Sequence, residues 1–262
     1  HPEGVHQMRV TTRRVRAGLR AFANVLPPRE ANKLTTDFRW LTRSLGPVRD
    51  LDVHLEHLHG YQEFLGSDER PALAHYQRHL EKRRRHAHRS LISALGSEEY
   101  TGLIKDFGAL VAATEAFEGP NQFVSIREAA EQRVRPMLMR VLRKGQAIGK
   151  SAPPAKLHRL RIDVKRLRYQ LEYLLTPYGK PMRKAAKALK NLQNTLGDHH
   201  DAHVAMAQLT HYRDHTGLNR VERKAFRKLV AFERDKIARY RKRFDRDWRR
   251  FETKSGGVKQ LL

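Results

Sequence analysis

The chain contains two copies of a short basic pattern, HQMRVTTRRVR at residues 6–16 and HRLRIDVKRLR at residues 158–168. Each copy opens with a histidine and continues with cations at the same positions, separated by apolar residues. A second match follows in each half, LGPVRDLDV at 45–53 and LGDHHDAHV at 196–204, and the offset changes by only one residue. A duplicated helical unit is therefore predicted to begin near residue 3 and again near residue 155.

Apolar residues recur at helical spacing along nearly the whole chain, and no sustained run alternates with period two. This predicts an all-α fold made of two pseudo-twofold-related four-helix bundles. We expect one domain over 1–262, with a first helical repeat at 3–117, a linking helix region at 118–152 and a second repeat at 153–250. The helices are predicted at about 3–26, 29–46, 48–64, 68–95, 98–117, 125–149, 154–177, 180–196, 198–216 and 218–250, with breaks at Gly46-Pro47 and Gly197.

The composition points to a polyanionic partner. The 262 residues include 53 Lys+Arg against 28 Asp+Glu, a net charge of +25 that opposes compaction by self-repulsion. Nucleic acid, an anionic membrane or another polyanion would explain this excess. There are no cysteines, which excludes disulfides and fits a reducing cytoplasm. No apolar run approaches the roughly 20 residues of a membrane span, and the start at His1 rather than Met indicates trimming or processing, with a lost leader left open.

Each repeat opens with a helix that separates its cations from its apolar residues. At 100° per residue, the cations of the first helix fall within about 80° of one another. We call them the first basic row: His6, Arg9, Arg13, Arg16 and Arg20. The second basic row is His158, Arg161, Lys165 and Arg168. Neither row is expected to have the acidic i,i+4 partners of an ordinary solvated face, so both are predicted to bind phosphates, in one groove if the copies pack around a twofold axis.

At these residues the sequence resembles the CHAD family, the conserved histidine α-helical domain. The resemblance rests on the two patterns at 6–16 and 158–169 and on the Leu-Gly-x-x-x-Asp elements that end at Asp50 and Asp201, and it covers nearly the whole chain. It implies two pseudo-symmetric four-helix bundles with a central basic surface that binds inorganic polyphosphate. It also implies a cytoplasmic location, with polyphosphate granules as one possible site.

The resemblance assigns polyphosphate binding only to matching positions. These are His6, Arg9, Arg13, Arg14, Arg16, Arg39, His158, Arg161, Lys165, Arg166, Arg168 and Lys190. Arg14 and Arg166 lie about 80° off the rows, so pairing with acids is an alternative for them. Asp50 and Asp201 are expected to orient basic side chains or to cap a helix. The first copy has Ala17 where the second has Tyr169, so the two halves need not contribute equally.

Two further motifs suggest chemistry that we do not assign. The stretch DHHDAH at 198–203 places His199 and His203 four residues apart, as zinc ligands can be. The first copy has Arg49 and Asp52 in place of His200 and His203, which favours a helix-start cap with surface histidines. GQAIGKS at 145–151 is one residue short of a phosphate-binding loop and follows a helix rather than a strand. No metal, cofactor or catalytic residue is therefore predicted.

Non-enzymatic polyphosphate binding is the leading hypothesis, and two alternatives stay open. DNA and RNA also present repeating anions, although stacking aromatics are sparse, with only Tyr169 near a row. A metal-dependent phosphoanhydride hydrolase would need a metal or a general base in the groove. His6 and His158 are available there, but no carboxylate cluster accompanies them. The sequence does not fix the oligomeric state.

Overall fold

A computed structural model describes residues 1–23, 26–113 and 126–261, without the side chains of 126, 127, 129–131, 133, 173–181 and 257–261. Within these ranges the chain forms seven helices and no strand, which confirms the predicted all-α class. The helices are α1 Pro2–Ala21, α2 Pro28–Phe64, α3 Pro71–Leu95, α4 Glu98–Ala113, α5 Ile126–Gln146, α6 Pro154–His215 and α7 Arg220–Leu261. The predicted end of a helix at 117 and start of another at 125 lie outside the described residues.

The predicted helix breaks at Gly46-Pro47 and Gly197 are wrong. Helix α2 runs through Pro47, and α6 runs through Gly197. A proline inside a helix removes one hydrogen bond, and a glycine costs about 1 kcal/mol relative to alanine. In α2, side-chain packing on both sides of Pro47 offsets the cost of the proline, because Leu45 and Val48 are fully buried there. Helix α7 likewise continues beyond its predicted end at residue 250.

Helix α6 folds back on itself. Arg168 Nε donates to Gln193 Oε1 at 2.6 Å, although 25 residues separate them. A straight helix would place these residues about 37 Å apart. The chain must therefore reverse direction between them, so that the segments 154–172 and 182–215 lie antiparallel. The division predicted near 177–180 falls among residues whose side chains are not described.

The chain divides into two compact units. Unit 1 comprises His1–Phe123 with Tyr212–Lys228, and unit 2 comprises Val124–His211 with Leu229–Leu262. The repeat limits at 3–117 and 153–250, and the pseudo-twofold relation between the repeats, stay predictions. No helix in the described ranges is both long and apolar enough to cross a membrane.

One buried cluster of unit 1 joins four helices. It contains Leu19 of α1, Leu45 of α2, Leu91 of α3 and Leu103 of α4. Phe38 adds an edge-to-face contact with the Phe107 ring at 5.3 Å between centroids. Burial of these side chains fixes α1 against α2, and this packing positions the first basic row.

The core of unit 2 is built by α5, both segments of α6 and α7. Leu138, Leu160, Leu192 and Phe244 belong to its single buried cluster. Gly145 lies on α5 directly beneath the indole ring of Trp248, and a Cβ added there would overlap that ring. The first glycine of the phosphate-loop-like stretch is therefore explained by close helix packing, in agreement with the sequence interpretation.

Candidate functional site

The first basic row lies along the boundary between α1 and α2. Arg9 Nη1 donates to Asp50 Oδ1 at 2.9 Å and to the carbonyl oxygen of Gly46 at 3.2 Å. Two helical turns further along α1, Arg16 Nη1 donates to Thr42 Oγ1 at 3.4 Å. All five members of the row are half-buried rather than exposed. The cations are thus held between two helices, unlike those of a freely solvated face.

The second basic row lies between the two antiparallel segments of α6. Arg161 Nη2 approaches Asp201 Oδ1 at 3.9 Å, and Arg168 binds Gln193 from the opposite segment. The Arg168 guanidinium also lies 4.5 Å from the centroid of the Tyr169 ring. Lys165 and His158 are half-buried, like the corresponding members of the first row.

The anchoring contacts stand at aligned positions in the two units. The Arg9–Asp50 and Arg161–Asp201 pairs occupy the same places in the sequence alignment. The second tether is also shared, because Thr42 and Gln193 align and each accepts from the last aligned arginine of its row. Asp50 and Asp201 lie inside helices and contact arginines, so they orient basic side chains and do not cap a helix start.

The second row is accompanied by more acid than the sequence analysis predicted. Arg168 forms an i,i+4 ion pair with Glu172, so the expectation that neither row has such a partner is wrong. Glu172 lies four residues after Arg168 on the same face of the helix, so the sequence spacing alone could have predicted this ion pair. The alternative for Arg166 is supported, since its guanidinium lies 3.8 Å from the buried Asp163 carboxylate. Arg14 is exposed and has contacts of its own.

Four further predicted residues lie on α1, α2 and α6. Arg39 is exposed on α2 and Lys190 is exposed on α6, each in the unit that carries its aligned row. His6 and Arg13 are half-buried on α1. Each unit therefore assembles its own row, and the meeting of the two rows in a single groove stays a prediction.

Histidines cluster beside the second row. His158 Nδ1 lies 3.3 Å from His200 Nδ1, and the rings of His199 and His203 are 4.6 Å apart between centroids. The interpretation of a helix-start cap with surface histidines is wrong, because Asp198 lies inside α6 and His199 is 5% exposed. Gly197 does not end the helix, and His199 faces the interior of unit 2.

Burial favours the neutral forms of His199, His200 and His203. Burial, with smaller contributions from His203, Arg241 and His200, lowers the pKa of His199 to about 4. Burial also lowers the pKa of His200, helped by Arg161 and His158, and burial lowers the pKa of His203. Among the described residues no group of three or more His, Asp or Glu is arranged to hold a metal ion.

Sequence reasoning missed the residues that tether the rows. Thr42 and Gln193 carry no charge, and nothing in the basic pattern points to them. The signal that could have found them is their alignment in the two repeats on the helix facing the row. A further missed contact is Arg84 Nε to Asp52 Oδ1 at 2.5 Å, which draws one member of the KRRR run at 82–85 into unit 1.

A family model of the CHAD domain matches residues 1–210. The chain belongs to the CHAD family. Among solved structures, this CHAD protein resembles the CHAD domain from the plant Ricinus communis, with 26% identity and a TM-score of 0.72 over 95% of this chain and 82% of that one. It also shares the fold of PptA from Streptomyces chartreusis, at 20% identity and a TM-score of 0.69 over 95% of this chain and 90% of that one.

Curated relatives of this CHAD protein are longer. An uncharacterized protein of Mycobacterium tuberculosis, matched in strains CDC 1551 / Oshkosh and ATCC 25618 / H37Rv, is 29% identical over 211 residues. The alignment covers 79% of this chain and 40% of those relatives. The matched region therefore spans less than half of their length.

Proposed function

We propose that this CHAD protein binds inorganic polyphosphate through its two basic rows and does not cleave it. The observation that carries the proposal is the shared anchoring of the rows. In each unit an arginine is held by an aspartate of the facing helix segment, while the row stays partly open to solvent. Arg9 is 18% exposed and Arg161 is 25% exposed. A ligand can therefore reach cations that are already oriented.

The aspartates position the arginines without cancelling them. Asp50 and Asp201 are 64% and 46% exposed, and ion pairs at such sites contribute about 0–1 kcal/mol. A guanidinium has five N–H donors, so Arg9 keeps donors for a phosphate beside those that bind Asp50 and Gly46. Phosphate oxygens form stronger, charge-assisted hydrogen bonds, and successive phosphates can bind successive members of a row.

The driving force would be electrostatic. Each phosphate neutralised by a cation releases a condensed counterion, so affinity should fall steeply as salt rises. The net charge of +25 adds long-range attraction for any polyanion. Location on polyphosphate granules in the cytoplasm would follow from such binding and belongs to the same proposal.

Binding without cleavage is favoured because the nearby carboxylates form ion pairs with arginines of the rows. A hydrolase would need a general base or a metal beside the bound phosphate. Asp50, Asp201 and Glu172 each face an arginine of a row, which disfavours a base role. We expect no phosphate release from long-chain polyphosphate with magnesium or manganese present. Release that disappears in His158→Ala would contradict this part of the proposal.

The site assignment is tested by calorimetric titration with long-chain polyphosphate. The variant Arg9→Ala/Arg161→Ala removes one anchored cation from each unit and should weaken binding by about 100-fold or more, since each charge-assisted hydrogen bond contributes about 1.5–3 kcal/mol. The matched control is Arg29→Ala/Arg140→Ala, which removes the same charge from exposed positions of α2 and α5. Equal affinities of the double variant and its control would refute the assignment.

Nucleic-acid binding is the second candidate, and competition separates it from the first. The structure places Tyr169 beside Arg168, but this ring is 7% exposed and offers little surface for stacking. Polyphosphate is therefore expected to displace bound RNA. Tight RNA binding that an excess of polyphosphate leaves in place would reverse the order of the two candidates.

A further inference from the structure

Helix α7 carries a third concentration of positive charge, separate from both basic rows. Seven cations between residues 239 and 254 fall within a sector of about 140° at 100° per residue, along about 23 Å of helix. We call them the α7 row: Arg239, Lys242, Arg243, Arg246, Arg249, Arg250 and Lys254. All seven are exposed, whereas Phe244 and Phe251 of the opposite face are buried. The row lies beyond residue 210, where the match to the CHAD family model ends.

Most of the α7 row is not neutralised. Arg243 and Arg246 contact the Asp247 carboxylate at 3.5 and 3.8 Å. The side chains of the other five form no ion pair or hydrogen bond with the part of the chain that the structure describes. Cations spaced three and four residues apart repel one another and destabilise a helix. In the described residues Asp247 and Asp198 offset this repulsion only at Arg243 and Arg246, and an external anion would relieve the rest.

The chemistry of this face selects among anions. Within its sector the α7 row includes no apolar or aromatic side chain, only Thr253 besides the cations. Insertion into a lipid surface needs apolar side chains next to the basic ones, and binding of single-stranded nucleic acid relies on stacking aromatics. The α7 row can offer charge and N–H donors alone, which suits a ligand that consists entirely of phosphates.

The α7 row continues the second basic row. Arg243 Nη1 lies 4.0 Å from Asp198 Oδ2, and Asp201, less than one turn further along α6, faces Arg161. The two rows therefore flank the same turn of α6, on helices that pack about 8–10 Å apart. A phosphate chain bound at Arg161 would reach the cations of α7 by crossing the α6 turn that carries Asp198 and Asp201.

We propose that the α7 row is a second polyphosphate-binding surface of unit 2, occupied only by chains long enough to extend from the second basic row. This rests on the proposed function and gives it a preference for chain length. Tripolyphosphate has only three phosphates, so it can occupy few of the cations of the two rows at once. Long-chain polyphosphate binds both at once, and the second contact strengthens the first because it is intramolecular.

The test compares two ligands on one variant. The variant Arg239→Gln/Lys242→Gln/Arg249→Gln/Arg250→Gln should weaken long-chain polyphosphate binding at least tenfold, while tripolyphosphate binding changes less than about twofold. The control Arg29→Gln/Arg83→Gln/Lys105→Gln/Arg140→Gln removes the same four charges from scattered exposed positions. Circular dichroism of both variants checks that the helical fold is kept.

The outcomes separate this proposal from the one on which it rests. If the α7 variant binds long chains as tightly as its control, the α7 surface is refuted. Loss of long-chain affinity only in Arg9→Ala/Arg161→Ala would then leave the basic rows intact as the site. Equal losses for tripolyphosphate and long chains in the α7 variant also refute the length preference. If the wild-type protein binds neither ligand, the proposed function itself fails.

Discussion

The two basic rows share their tethers but differ in what surrounds them. Beside the first row, Arg49 is paired with Glu56 at 2.8 Å and Asp52 is paired with Arg84. At the positions aligned with Arg49 and Asp52, unit 2 has His200 and His203. At these two aligned positions unit 1 therefore has fixed charges, and unit 2 has groups that titrate. A repeated pattern can specify where cations lie, while the facing helix decides whether their surroundings respond to pH.

The largest expected effect comes from the fixed charge in unit 1. Arg84→Ala would leave the Asp52 carboxylate, 2% exposed, without its charge partner. Loss of one partner of a buried ion pair costs about 3 kcal/mol or more in unfolding free energy. Urea denaturation should show this loss, while Arg85→Ala on the exposed side of the same run changes little. A matching loss from His203→Ala in unit 2 would break the contrast between the units.

A glycine in each unit gives the next effect, with opposite signs. Gly145→Ala places a methyl group against the Trp248 ring and should cost about 1–3 kcal/mol. Gly60→Ala in α2 meets open space and should stabilise by about 0.5–1 kcal/mol, because alanine favours a helix. Thermal denaturation measures both. A neutral Gly145→Ala would show that α5 and α7 do not pack as described.

Acid should destabilise unit 2 through its buried histidine. The folded state lowers the pKa of His199 to about 4, below the ordinary value near 6.5. The unfolded chain therefore binds this proton more readily, and stability present above pH 6.5 is lost as pH falls towards 4. The melting temperature should drop by a few degrees over this window, and less so in His199→Gln. The same drop in both proteins would exclude His199 as the cause.

The smallest expected effect is on the pH dependence of polyphosphate binding. Arg9→Ala leaves a site that depends mainly on the second row, where protonation of His200 adds charge beside Arg161. Burial and Arg161 lower the pKa of His200, so this gain appears only at acid pH. Polyphosphate affinity of Arg9→Ala should rise about threefold from pH 7.5 to 5.5, more than for Arg9→Ala/His200→Gln. Identical pH profiles of the two variants would contradict a titratable second row.

Hydrophobic periodicity and the alignment of the two repeats predicted the features that depend on residues close together in the sequence. The all-α class and the registers of the rows follow from spacing within a few helical turns. The continuity of α2 through Pro47 could not be predicted, because it depends on the burial of Leu45 and Val48 in a core contributed by other helices.

Side-chain partners were harder to predict than helices. Asp50 and Asp201 were expected to orient basic side chains or to cap a helix, and their place inside α2 and α6 supports the first alternative. Nothing in the KRRR run distinguishes Arg84 from its neighbours, and only the packing of α3 on α2 brings it to Asp52. The burial of His199 was missed for the same reason, since it depends on α6 continuing past Gly197. Long-range packing decided each of these cases.

The central claim is that the anchored arginines of both rows bind phosphates, and the salt dependence of polyphosphate affinity tests it most directly. For the wild type, the logarithm of the association constant should fall linearly with the logarithm of salt concentration. Arg9→Ala/Arg161→Ala should reduce the slope by about one to two, and Arg29→Ala/Arg140→Ala should leave it unchanged. An unchanged slope in the first variant, or an equal reduction in the second, would contradict the claim.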